Sequence, residues 1–137
     1  MVMASLRYER RIDATADEVW GVVTVPASIP EWFPGVVSCT IEGTRRVLTL
    51  ASGIEMPEEI LVNDPMLRRF VYRIDSPLYR FHLGSIDVIE LSPEESMCIY
   101  STTAEPDTLC LLIGGGTAGA LDEIARLAEA AAAERVG

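Results

Sequence analysis

"TADEVWGVVTVPASIPEWFPG", residues 15–35, is the stretch whose reading decides the fold. Thr15 is placed to cap the N2 or N3 amide of a helix while Glu18 reaches back to it, a capping box set directly before Val19, Trp20, Val22 and Val23. A short helix starts there, and Pro26 ends it. "SIPEWFPG" then reads as a second helical turn, capped by Ser28 and stopped by Pro34 and Gly35. Trp32 and Phe33, two of the largest apolar side chains, are thus held between two prolines, where a surface loop would ordinarily be polar.

Upstream, Ser5 to Ile12 alternates Leu6, Tyr8 and Ile12 with polar residues and reads as a first strand. Downstream, six segments ("VVSCTIEG", "RRVLTLASG", "IEMPEEILV", "RRFVYRIDS", "FHLGSIDVIEL", "SMCIYSTTAE") show β-branched and aromatic alternation between Gly, Pro, Asn, Asp or Ser punctuation. They predict a meander. Thr108 to Arg135 carries Leu109, Leu112, Ile113, Thr117, Leu121, Ile124 and Leu127 at helical spacing, predicting one long helix with its stripe on the sheet and a frayed tail over "AEAAAAERVG". The order strand, two short helices, six strands, long helix is an α+β chain with an antiparallel sheet.

At 137 residues the chain suits one domain, residues 1–137, with one core. Hydrophobic content of 49% against 23% charged residues fits a packed globular protein. The net charge of −10 leaves no electrostatic footprint for nucleic acid or an anionic membrane. All basic residues are Arg; without Lys, Schiff-base chemistry and a P-loop lysine are excluded. Cys39, Cys98 and Cys110 are widely spaced, suggesting buried inert thiols, with no disulfide framework and no metal cluster. Charged residues from Arg7 onward precede any apolar run, so no signal peptide is expected, and the uncharged stretch Thr108–Leu121 falls short of a membrane span. The expectation is a soluble cytoplasmic protein with no integral membrane segment.

Together, "ADEVWGVVTVPASIPEWFPGV", "EGTRRVLTLASG", "MPEEILVND" and "RRFVYRI" resemble the helix-grip superfamily of START and birch-pollen-allergen-like proteins (SRPBCC), in its bacterial polyketide cyclase/dehydrase and lipid-transport branch. Val19-Trp20 looks like the family's first-helix pair, and Trp32, Pro34 and Gly35 like its second helix. Arg46 with Gly53, and Glu58 with Asp64, match its strand elements in spacing, while Glu59 stands where the family usually carries Arg. The resemblance implies a helix-grip fold: a curved seven-stranded antiparallel sheet wrapped around the long C-terminal helix, with two short helices between strands 1 and 2. It also implies an internal apolar cavity and a small hydrophobic ligand. By the same resemblance "ASGIE" and "PLYRF" mark the cavity entrance. Trp32 and Phe33 then either close the cavity or plug the core edge.

Strand alternation places His82, the single histidine, with Gly84, Ile86 and Val88 on the inward face, and Glu58 with Met56, Ile60 and Val62. His82 reads either as a ligand or acid/base group or as a satisfied or surface histidine. Glu58 reads either as a buried site carboxylate or as a structural partner of Arg46 or Arg73. Tyr72 and Tyr100 are placed to offer hydroxyls to the cavity or to pack the core. "GGGTAG", Gly114–Gly119, fits no phosphate-loop register and instead removes side chains facing the cavity, enlarging it or permitting a bend.

The candidate catalytic residues are therefore His82 and Glu58. The candidate ligand-binding set adds Trp32, Phe33 and Met56 to these, together with Tyr72, Tyr100, Gly116 and Leu121. No cofactor is implied. Three functions compete: a binder or carrier of a lipid, polyketide or isoprenoid-like molecule; an aromatase/cyclase or dehydratase working without metal or nucleotide cofactor; and a protein-interaction module with a vestigial cavity. A homodimer is compatible with each.

Overall fold

The computed structural model describes residues 2–137. Strand β1 (Ala4–Ile12) leads into helix α1 (Ala16–Val23) and a 3₁₀ helix (Pro26–Glu31). There follow β2 (Val36–Glu42), β3 (Arg45–Leu50), β4 (Glu55–Asp64), β5 (Arg69–Ile74), β6 (Phe81–Ser92) and β7 (Glu95–Glu105), then α2 (Asp107–Val136). The seven strands form one antiparallel sheet in the order β1-β7-β6-β5-β4-β3-β2, so the meander ends beside the first strand. This is the helix-grip architecture expected from the sequence.

The capping box forms as read: Glu18 N donates to Thr15 Oγ1 (3.0 Å) and Thr15 N to Glu18 Oε1 (2.9 Å). Ser28 does not cap the second turn. That turn is 3₁₀, begun by Pro26, and Ser28 Oγ donates back to the carbonyls of Val22 and Val25 while accepting the Trp32 indole N–H (3.1 Å). Gly35, at φ +84°, turns the chain into β2, and its carbonyl accepts from Ala51 N (2.8 Å), tying the start of the sheet to the β3–β4 loop.

α2 is helical to Val136, so the tail is not frayed. Arg135 donates to both oxygens of Glu18 (3.1 and 3.3 Å), clamping its last turn to the start of α1. Thr117, Leu121 and Ile124 are buried as the stripe predicts, joined by Ala120, Ala125, Ala128 and Ala132, whose small side chains let the helix lie close. Leu112 departs from the stripe at 77% exposed, because Cys110 and Gly114, two residues to either side, face β1 and β7 and leave Leu112 on the far side of the helix. By length and composition alone the helix is apolar enough to cross a membrane; in this fold it packs on β1, β7 and α1.

Glycines of the "GGGTAG" stretch act differently from the expectation. α2 runs through them without a break, and three of them are points of close approach. A Cβ on Gly114 would lie 2.3 Å from Leu6 Cδ1, one on Gly116 2.9 Å from the Phe33 ring, and one on Gly119 3.0 Å from Pro34. They let β1 and the Trp32–Pro34 segment pack against the helix, and only Gly116 also faces open space.

Candidate functional site

Between the first turns of α2 and strands β2 to β4 lies a pocket of about 390 Å³. Its walls follow from the fold. The stiff proline segment supplies Ile29, Phe33, Pro34 and Gly35; the inward face of β2 to β4 supplies Val36, Leu48, Leu50 and Met56. Leu109, Leu112, Ile113 and Gly116 come from the first turns of α2, with Ala51, Ser52 and Tyr79 contributed by the two loops expected at an entrance. Tyr72 and Glu58 complete it, and Glu58 is the one charged residue in the lining.

Glu58 is buried at 3% exposure, and its partner is Arg46 (0%), not Arg73, whose side chain lies on the opposite face of β5. β3 and β4 pair Arg46 directly with Glu58, and Arg46 Nε donates to Glu58 Oε1 at 2.8 Å. The guanidinium is further held by the Pro26 carbonyl at Nη1 (3.1 Å). Its carbon lies over both the Phe70 and Tyr72 rings, 5.2 Å from each centroid. Arg46 Nη2 has no hydrogen-bond partner. Burial pushes the Glu58 carboxyl above its ordinary value, against the lowering influence of Arg46. Neighbouring Arg45 and Glu59 pair with each other on the outer face (3.3 Å), as strand alternation requires.

His82 is buried at 4% exposure but does not line the pocket. Its Nδ1 accepts the backbone N–H of Ile74 (2.9 Å), which fixes the neutral ring as the Nε2–H tautomer. Nε2 is buried without a partner. The rings of Tyr72 and Tyr79, both in the lining, flank it at centroid distances of 5.6 and 5.3 Å. Desolvation lowers the His82 pKa to about 4, so the imidazole is uncharged near neutral pH. The Tyr72 and Tyr100 hydroxyls bond to each other at 2.6 Å, and burial raises both above the usual phenol value.

Of the predicted residues, Phe33, Met56, Glu58, Tyr72 and Gly116 meet in the lining. Trp32 is buried at the core edge against Phe33 and Tyr100, Tyr100 lies behind Tyr72, and Leu121 sits farther along α2 in the core. The proline segment therefore does both things proposed for it: Trp32 plugs the core while Phe33 faces the cavity. Val62 was expected to share the inward face of Glu58 but is 36% exposed, because a bulge between Ile60 and Val62 reverses the alternation. Sequence reading missed Leu48 and Leu50, which alternate inward with Arg46 on β3, and Tyr79, one residue of a loop with no period to read. Cys98 and Cys110 are buried as expected; Cys39 is half-buried.

The family described as "polyketide cyclase / dehydrase and lipid transport" matches residues 3–134. No curated protein matches the chain in sequence. Among solved structures, XoxI from Bacillus cereus is similar at a TM-score of 0.83 and 22% identity, over 90% of this chain and 94% of its own. The Zhui aromatase/cyclase from Streptomyces sp. R1128 superposes at 0.78 and 18% identity, over 93% and 94% of the two chains. Truncated norcoclaurine synthase from Thalictrum flavum does so at 0.76 and 21%, over 92% and 93%. At these identities the likeness establishes the fold.

Proposed function

Since the chain belongs to the polyketide cyclase/dehydrase and lipid transport family, whose members' folds pair an enclosing sheet with a long helix, we propose that it binds a small hydrophobic molecule between its sheet and α2. Residues 1–137 act as one ligand-binding domain, soluble in the cytoplasm, with no nucleic-acid partner. The observation that carries this reading is the pocket of about 390 Å³, within the size range of small-molecule sites and apolar except for one carboxylate and a few hydroxyls. Affinity in such a site comes from apolar burial, about 25 cal/mol per Å² removed from water.

A second reading, an aromatase/cyclase or dehydratase with Glu58 and His82 as proton carriers, draws support from the family and from the Zhui aromatase/cyclase fold. The geometry favours the binder. Glu58 is held by Arg46, and His82 is turned toward the Ile74 amide, outside the lining, packed against the lining rings of Tyr72 and Tyr79, so the two groups do not share one open wall. Titrating the protein with N-phenylnaphthylamine tests the proposal. One dye per chain, with the blue shift of an apolar environment, is expected; no saturable binding refutes it.

A further inference from the structure

Resting on that reading of the pocket, we infer that its polar floor selects a ligand ending in a neutral hydrogen-bond donor, a hydroxyl, over the same skeleton ending in an acid or an amine. The floor carries a buried ion pair, but only one half of it faces the ligand: Glu58 belongs to the lining and Arg46 does not. Glu58 accepts from Arg46 Nε through Oε1, and no donor among the described residues reaches its Oε2. Arg46 meanwhile spends Nε on Glu58 and Nη1 on the Pro26 carbonyl, and its remaining Nη2 is buried with no partner among the described residues. The free hydrogen-bonding capacity that the ion pair presents to a ligand is therefore an acceptor.

Charge narrows the class further. A ligand carboxylate would meet the Glu58 oxygen as a like charge, with the Arg46 cation already committed behind it. An ammonium would surrender its hydration to a floor whose net charge is zero, inside apolar walls that return little. A hydroxyl loses far less solvation and makes a charge-assisted bond to Oε2. Of the other hydroxyls in the lining, that of Tyr72 is engaged by Tyr100, and those of Ser52 and Tyr79 belong to the two entrance loops.

Four probes sharing one skeleton decide the matter: naphthalene, naphthol, naphthoate and naphthylmethylamine, each competed against N-phenylnaphthylamine on the full chain at neutral pH. Naphthol is expected to bind about tenfold tighter than naphthalene, with naphthoate and the amine weaker than the parent hydrocarbon. Naphthalene equal to naphthol, or naphthoate or the amine matching it, overturns the inference while leaving the ligand site standing. If none of the four displaces the dye, the site reading falls and this inference with it. In Glu58→Gln the freed Arg46 charge should reverse the order, naphthoate overtaking naphthol; an unchanged order in the folded variant also overturns it.

Discussion

Breaking the Arg46–Glu58 pair from one side should be far more damaging than removing it whole. Both side chains are almost fully buried, and they are joined at 2.8 Å. Replacing Arg46 with Met leaves the Glu58 carboxylate inside the protein without its counter-charge, and loss of one partner of such a pair costs about 3–5 kcal/mol. An unfolding entropy of about 2 cal/mol/K per residue comes to roughly 0.3 kcal/mol/K over this chain, so the melting temperature should fall by about 10–17 °C. In Arg46→Met/Glu58→Leu the uncompensated charge is gone and apolar side chains fill the same space against Phe70 and Tyr72. That double variant should recover most of the loss or exceed the wild type. Urea and thermal unfolding of the three proteins reads the result. A single variant costing under about 1 kcal/mol, or a double variant no better than the single, refutes the reasoning.

Acidification should act through His82. Its folded value of about 4 lies below the ordinary 6.5, so the unfolded chain binds the extra proton across that window. Stability is full above pH 6.5 and drops by about 3 kcal/mol as pH falls through 4. Glu58, raised by burial, acts in the opposite sense, being most favourable below its ordinary value and losing its contribution as pH rises. His82→Asn keeps an acceptor for the Ile74 amide and removes the titration, so the wild-type minus variant difference isolates His82; a difference flat from pH 7 to 4 contradicts the assignment. Gly84→Ala should destabilise by about 1–3 kcal/mol, since its Cβ would lie 2.5 Å from the Tyr72 ring, itself fixed by Tyr100. Gly115→Ala meets nothing within 4 Å and should stabilise by up to about 1 kcal/mol, both read by urea midpoints. Gly116→Leu, projecting into the pocket beside Phe33, should abolish dye binding while the far-UV circular dichroism stays native.

The elements were legible in the sequence because their signals are local. The Thr15/Glu18 capping box, the alternation from Val36 to Glu105 and the helical stripe of Thr117, Leu121 and Ile124 each depend on neighbours in the chain. The site was legible as far as strand alternation holds, which grouped Met56 with Glu58 and placed His82 on the inward face. Alternation assigns a face but not a depth: it cannot say that His82 packs against Tyr72 and Tyr79 outside the lining, or that Tyr100 lies behind Tyr72. A one-residue bulge after Ile60 was enough to turn Val62 outward. The glycines of α2 carried a real signal of close approach, whose partners, Leu6, Phe33 and Pro34, lie about 80 to 110 residues away and leave no trace in the local pattern.

The most direct test of ligand binding is to purify the protein under native conditions, denature it, and examine the extract by mass spectrometry beside Gly116→Leu prepared identically. The wild type should release a small apolar molecule in near-stoichiometric amount, and the variant should release none. An extract of the folded wild type that matches the variant, with no bound molecule in either, would contradict ligand binding.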